Sequence, residues 1–261
     1  MLTQKNLDAI IELSHDLLER IHERVSGEFE IEATIYNIVT FKLFGFSLNT
    51  FKSICYLLPH TVYEQATVLY RTLWETSVNL EWISRNPNQN ALRFVQFTGV
   101  EQRRLVQKRI KAAERSGDQA VVISLAKHLA EFERELETQL APFRFEDQRG
   151  RRRWRDRFSG HSLEAVVREV GGEWLEEYDR DYALACIYTH GAPGAVLFPL
   201  FDFPGHKLDK ARSIDRSAIV GAMAIEIMAR IYRRYLLDIL ESEDEEYLQN
   251  LSSRVREAGT L

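Results

Sequence analysis

Apolar residues recur three and four apart along most of the chain, the spacing that lines one face of an α-helix. Residues 4–25 place Leu7, Ile10, Ile11, Leu17, Leu18, Ile21 and Val25 on one stripe with charges opposite, and Gly27 ends that helix. From Phe29 to Leu58 the pattern predicts a second helical stretch, broken near "GFSLN" and closed by Pro59. A long helix follows over Thr61–Ser84, and "NPNQN" reads as the next turn. Two charged helices, Ala91–Arg115 and Ala120–Gln139, are joined by "SGD" and predict a projecting hairpin. The segment "APFRFEDQRGRRRWRDRFSG" has no helical period and reads as a loop. Helices over Ser162–Val170 and Trp174–Thr189 come next. Residues 208–240 form a last long helix that is apolar on almost every side, as a helix in a bundle core must be. The pattern predicts one all-α domain over 1–261, a single multi-helix bundle. Residues 1–58 form its N-terminal helices, 60–240 its main body and 241–261 an acidic peripheral tail.

Composition sharpens this reading at a few points. With 45% hydrophobic residues in 261, the chain can bury an ordinary core. Thirteen glycines and six prolines are few for that length, which suits helices. A net charge of -5 excludes a protein that coats nucleic acid with its whole surface and leaves room for a local basic patch. The two cysteines, Cys55 and Cys186, stand in apolar windows without metal-ligand spacing, so neither a disulfide framework nor a metal site is expected. The N-terminal residues carry a charge every few positions, unlike a signal peptide, and the most apolar window, 183–203, is interrupted by His190, Gly191, Pro193, Gly194, Pro199 and Asp202. A cytoplasmic protein with no membrane span and no cofactor is the expectation.

Three groups of polar residues stand in apolar company. On the helix over 61–84, Arg71, Glu75 and Asn79 share a strip with Val68, Val78 and Trp82, while Gln65, Thr72 and Thr76 form the polar edge. The spacing of four allows an Arg71–Glu75 ion pair. It is either a structural bridge or a cleft in which Arg71 binds an anion and Glu75 orients or accepts a proton. Tyr178, Tyr182, Cys186 and His190 follow at intervals of four and line one side of their helix, whose end is expected at His190, with Gly191 turning the chain. His190 there is a helix cap or an acid–base group poised near neutrality. In the basic loop, six arginines fall between 149 and 157, which is either a solvated charge run or a place for RNA phosphates with Trp154 as a stacking surface. Glu226 and Arg230 form a further spacing-of-four pair, read as a packing bridge. Phosphate-binding glycine loops, nucleophile elbows and zinc motifs are missing from the sequence, which disfavours nucleotide- and zinc-dependent enzymes.

Three stretches in order, "LYRTLWETSVNLEWI" (69–83), "WRDRFSGHSLEAVVREVG" (154–171) and "YDRDYALACIYTHGAP" (178–193), resemble the landmarks of the domain of unknown function 5677 family over roughly residues 60–235. The resemblance implies a bacterial helical bundle whose marked positions match Arg71, Glu75, Trp154, Ser162, Tyr178, Tyr182 and His190. Cys186 stands where a serine is expected. Arg155 and His161 match the Arg, four to six residues, His signature of the HEPN ribonucleases (higher eukaryotes and prokaryotes nucleotide-binding domains). A HEPN-like bundle would imply a metal-independent ribonuclease of phage defence or a stress or toxin system, working as a homodimer. On that expectation Arg71, Glu75 and His190 are catalytic, and Asn79, Tyr178, Tyr182, Arg155 and His161 bind substrate. The alternatives are a non-enzymatic scaffold and a sensor for a small anion.

Overall fold

The computed structural model of the chain describes residues 2–27, 30–189 and 210–259. Helices account for most of them: α1 (Gln4–Val25), α2 (Ile35–Leu57), α3 (Tyr63–Ser84), α4 (Pro87–Ser116), α5 (Gln119–Glu135), α6 (Glu137–Leu140), α7 (Leu163–Val170), α8 (Glu173–Glu177), α9 (Ala183–Thr189), α10 (Lys210–Ile239) and α11 (Glu245–Gly259). Two short strands, β1 (Arg144–Glu146) and β2 (Arg152–Trp154), form an antiparallel hairpin. The fold is an all-α multi-helix bundle. The backbone divides into two compact units, Met1–Trp82 with Val170–Leu261, and Ile83–Glu169. Both boundaries fall at the end of a helix rather than in a linker, so no shift of composition marks them.

In the first unit α1, α2 and α11 all pack on α10. Ala218, Ala222, Ile225, Met228, Tyr232 and Leu236 are buried along α10, as its all-round apolar pattern requires. The crossing with α1 is close. A Cβ on Gly221 would stand 2.6 Å from Ile10 Cγ2 and 2.9 Å from Leu58 Cδ1, so only glycine lets these backbones approach. Leu7, Ile10, Leu17 and Ile21 of the expected α1 stripe are buried, joined by Leu13.

Two boundaries differ from expectation. Helix α2 runs unbroken through "GFSLN" and begins at Ile35, where the Thr34 side chain accepts a hydrogen bond from the Asn37 amide at 3.1 Å. A glycine inside a helix costs about 1 kcal/mol relative to alanine. The burial of Phe44, stacked on Tyr235 at 4.0 Å, and of Phe51 and Ile54 outweighs it. "NPNQN" is the start of α4 rather than a turn, because Pro87 occupies the first helical position, where its missing N–H costs nothing. The acidic tail is the helix α11. Its Leu248, Leu251 and Val255 are buried, and Asp244, just before it, takes a two-pronged hydrogen bond from Arg20 at 2.7 and 2.8 Å. Among the described residues no helix is long and apolar enough to cross a membrane.

In the second unit α4 and α5 form the expected helical pair. Gly117, with φ of 78°, ends α4 in the left-handed conformation, and the Asp118 side chain caps α5 through the Val121 amide. The basic segment is a β-hairpin rather than a loop. Asp147 organises it: one carboxylate oxygen accepts from the Arg149 and Arg151 amides, the other from the Nε atoms of Arg151 and Arg153. These bonds hold the Asp147 carboxyl down at a pKa of about 2, the Arg151 amide contributing most.

Candidate functional site

Intrahelical geometry joins the first pair. Arg71 Nε donates to Glu75 Oε1 at 3.0 Å, one turn further along α3, and both side chains are half-buried. The third member comes from the other side of the chain. The Tyr182 hydroxyl donates to the same Glu75 oxygen at 2.7 Å and accepts from Arg71 Nη2 at 3.1 Å, closing a triangle across 111 residues of sequence. The Arg71 guanidinium also lies over the Tyr182 ring, 5.2 Å from its centre. Burial works against the Arg71 charge, but the bonds to Tyr182 and the Glu75 carboxylate more than compensate, and its pKa is raised. Burial, followed by the hydrogen bond to Glu75, lifts the Tyr182 phenol well above its ordinary range. Tyr182 is therefore a neutral hydrogen-bond donor at physiological pH.

A local distortion positions Tyr182. The helix expected over 174–189 is three segments: α8, one π turn over Tyr178–Tyr182, and α9. Across the π turn the Ala183 amide reaches back five residues to the Tyr178 carbonyl. The wider turn brings Tyr178 and Tyr182 almost into line, and their rings stack at 5.2 Å and 15°. Trp74, fully buried on α3, meets Tyr182 at 4.8 Å, Trp174 at 5.9 Å and Tyr178 at 6.1 Å. Its indole N–H donates to Glu177 at 3.0 Å. Glu177 is also bound at 2.7 Å by Arg230, whose guanidinium lies 4.9 Å from the centre of the Trp174 ring.

The sequence reading missed Trp74, Trp174 and Glu177. A tryptophan in an apolar helix whose N–H must find an acceptor is the signal that would have found them. The expected Glu226–Arg230 bridge is replaced: Arg230 pairs with Glu177 and Glu173, and Glu226 accepts from Ser252 at 2.9 Å. Thr76 is buried rather than on a polar edge, its hydroxyl returned to the Thr72 carbonyl. Asn79 is half-buried one turn beyond Glu75. Cys186, one turn beyond Tyr182, lies near enough to Arg71 and Tyr182 to influence both. His190 and Gly191, where the helix end and the turn were expected, lie outside the described residues; α9 is described to Thr189.

The remaining candidates belong to the second unit. The Arg155 guanidinium covers the Phe145 ring at 4.5 Å, and His161 is exposed beyond the turn at Gly160. Trp154 is half-buried, with the guanidiniums of Arg103 and Arg144 over its ring at 4.4 and 4.8 Å, so two cations already use the stacking surface expected for bases. Ser162 caps α7 through the Ala165 amide. Of the six hairpin arginines, Arg151 and Arg153 bind Asp147. The exposed side chains of Arg149 and Arg152 have no ion-pair partner among the described residues. Nor do any three His, Cys, Asp or Glu side chains gather as a metal site among those residues.

An all-α bundle with a half-buried Arg–Glu–Tyr triangle against an aromatic cluster is thus the class that fold and site define. The chain belongs to a family of unknown function, DUF5677, whose model matches residues 37–203. The match begins earlier and ends earlier than the resemblance read from the sequence, taking in α2 and leaving out α10. No curated protein and no solved structure matches the chain.

Proposed function

We propose that the chain is a metal-independent, ribonuclease-like protein of bacterial phage defence or of a stress or toxin system. Arg71 stabilises the phosphate and Glu75 holds Arg71. Tyr182 donates a proton or a hydrogen bond, and His190 supplies the acid or base. The observation that carries the reading is the closed triangle: a guanidinium and a neutral phenol fixed in place need no reorganisation when charge develops beside them, which is the main source of electrostatic catalysis. Arg149 and Arg152 of the hairpin are the residues through which RNA would be held. A homodimer would seat on α2, whose Ile35, Ile38, Phe41, Phe46 and Tyr56 are exposed around an open Gly45.

Cleavage of labelled single-stranded RNA in the presence of a chelator tests this. Wild type is expected to cleave, and Arg71→Ala to cleave roughly a hundred-fold more slowly, the usual cost of losing one such donor, with its helical circular dichroism intact. Wild type without activity, or Arg71→Ala with full activity, refutes it. The scaffold reading keeps one observation of its own: Glu75 Oε1 already accepts from both partners, as a structural lock requires. Unfolding of both Arg71→Ala and Tyr182→Phe would favour that reading.

A further inference from the structure

Charge is divided unevenly between the two units. Ile83–Glu169 carries 18 lysines and arginines against 12 aspartates and glutamates, a net charge of +6, while the rest of the chain stands at -11. In the first unit Arg20, Arg180, Arg230, Arg234 and Arg254 are all tied to carboxylates. In the second, Lys108, Lys111, Arg115, Arg149 and Arg152 are exposed and form no ion pair among the described residues. An uncompensated excess of one sign raises the local potential and draws in ligands of the other sign.

These cations lie on one path. Arg104, Lys108, Lys111 and Arg115 follow along α4 at intervals of four, three and four, which places them in single file on one face, opposite the buried Ala113. Lys108 to Arg115 spans about 10 Å of helix axis. At the near end of the file the Arg104 guanidinium donates to the Arg155 carbonyl and, at 3.0 Å, to Asp156, which docks α4 on the hairpin. A hollow of about 600 Å³ opens there, walled by Arg103, Arg104 and Gln107 of α4 and by Arg152, Arg153 and Trp154 of the hairpin. Its Arg103, Arg104 and Arg153 are neutralised by Glu133, Asp156 and Asp147. Arg152 forms no such pair, although Glu146 stands opposite it in register. The hollow joins Arg152 to the file on α4, because Gln107 on its wall adjoins Lys108. The exposed acids Glu101 and Glu114 border the file on its two sides.

We propose that this path binds the sugar–phosphate backbone of single-stranded RNA without reading its sequence. The five unpaired cations each meet a phosphate, Arg149 and Arg152 on the hairpin and Lys108, Lys111 and Arg115 on α4. The guanidiniums of Arg103 and Arg144 over Trp154 keep bases off its ring, so stacking adds nothing. A single strand bends to follow one file of charges. A duplex is stiff and presents two rails of phosphate, of which the second would meet Glu101 or Glu114. The inference rests on the reading of the hairpin as the place that holds RNA, adds α4 to it, and holds whether or not the Arg71 triangle cuts the strand.

Fluorescence anisotropy of the full chain with a labelled oligouridine of about 15 nucleotides, 2′-O-methylated so that it is not cut, tests the proposal. Five neutralised phosphates on a single strand give a logarithmic salt slope of about -3.5, so affinity should fall about a hundred-fold between roughly 50 and 200 mM salt. Lys108→Gln, Lys111→Gln and Arg115→Gln together should bring the slope to about -1.4, and Lys111→Gln alone should remove about 0.7 from it. Helical circular dichroism should be unchanged, since glutamine is a good helix former at exposed positions. Glutamine at Lys5, Lys52 and Arg256 of the first unit alters the net charge equally and should leave binding as in wild type. Four results overturn the proposal: no saturable binding at the lower salt, a wild-type slope in the α4 variants, an equal loss in the first-unit variant, or tighter binding of duplex RNA or of a DNA strand of the same length. Unmethylated RNA that is held along the path but left uncut supports the proposal and refutes only the ribonuclease reading.

Discussion

Replacing Tyr182 by Phe removes a single oxygen, the one that donates to Glu75 at 2.7 Å and accepts from Arg71 at 3.1 Å. The ring remains, with its stack on Tyr178 and the guanidinium above it. Hydrogen bonds to charged groups are worth roughly 1.5–3 kcal/mol. Arg71 and Glu75, with side chains 17% and 26% exposed, keep their own bond at 3.0 Å and gain water where the phenol was, which returns part of the loss. The expected net cost is about 1–2 kcal/mol. For a chain of this size that lowers the melting temperature by roughly 2–8 °C. The alkaline limb gives a second signature. The folded phenol titrates above its unfolded value of 10.0, so its stabilisation is complete below that pH and is lost as pH rises toward the folded value. Wild type should therefore lose stability above pH 10 more steeply than Tyr182→Phe. Thermal melts followed by circular dichroism, near neutrality and in the alkaline limb, measure both effects. A variant with the wild-type melting temperature and the wild-type alkaline slope refutes the triangle as a fixed unit, and with it the preorganised donor.

Two further outcomes rest on packing and on the hairpin. Gly221→Ala forces a Cβ to within 2.6 Å of Ile10 and should cost about 1–3 kcal/mol as α1 and α10 are pushed apart; an unchanged melting temperature would refute that close approach. Asp147, with its pKa depressed from 3.8 to about 2, stabilises the hairpin fully above its unfolded value and loses that effect as pH falls through the folded one. Amide exchange at Arg151 should accelerate over that window, and should be fast at all pH values in Asp147→Asn; protection that survives the substitution would show that the carboxylate is not the clamp.

Local periodicity was enough to place the helices of the bundle, to bury α10 and to pair Arg71 with Glu75. All three depend on the repeat of a single helix, where positions four apart are neighbours whatever the rest of the chain does. The cap at Thr34 and the unbroken passage of α2 through Gly45 were not legible, because the burial of Phe44 against Tyr235 outweighs the local preference of a glycine. The basic segment carried its arginines in plain view. What makes it a hairpin is the convergence of Asp147 on amides and guanidiniums from both of its sides, which no helical or alternating pattern announces. The candidate site divides along the same line. Tyr178 and Tyr182 were in register by spacing, but the π turn that stacks them was not legible, and the reach of Tyr182 to Arg71 and the cluster of Trp74 with Glu177 and Arg230 bring together groups about fifty to a hundred residues apart. Such distances are set by how helices pack. A charge pattern within one helix specifies which groups can point inward, and only the tertiary structure decides which of them meet.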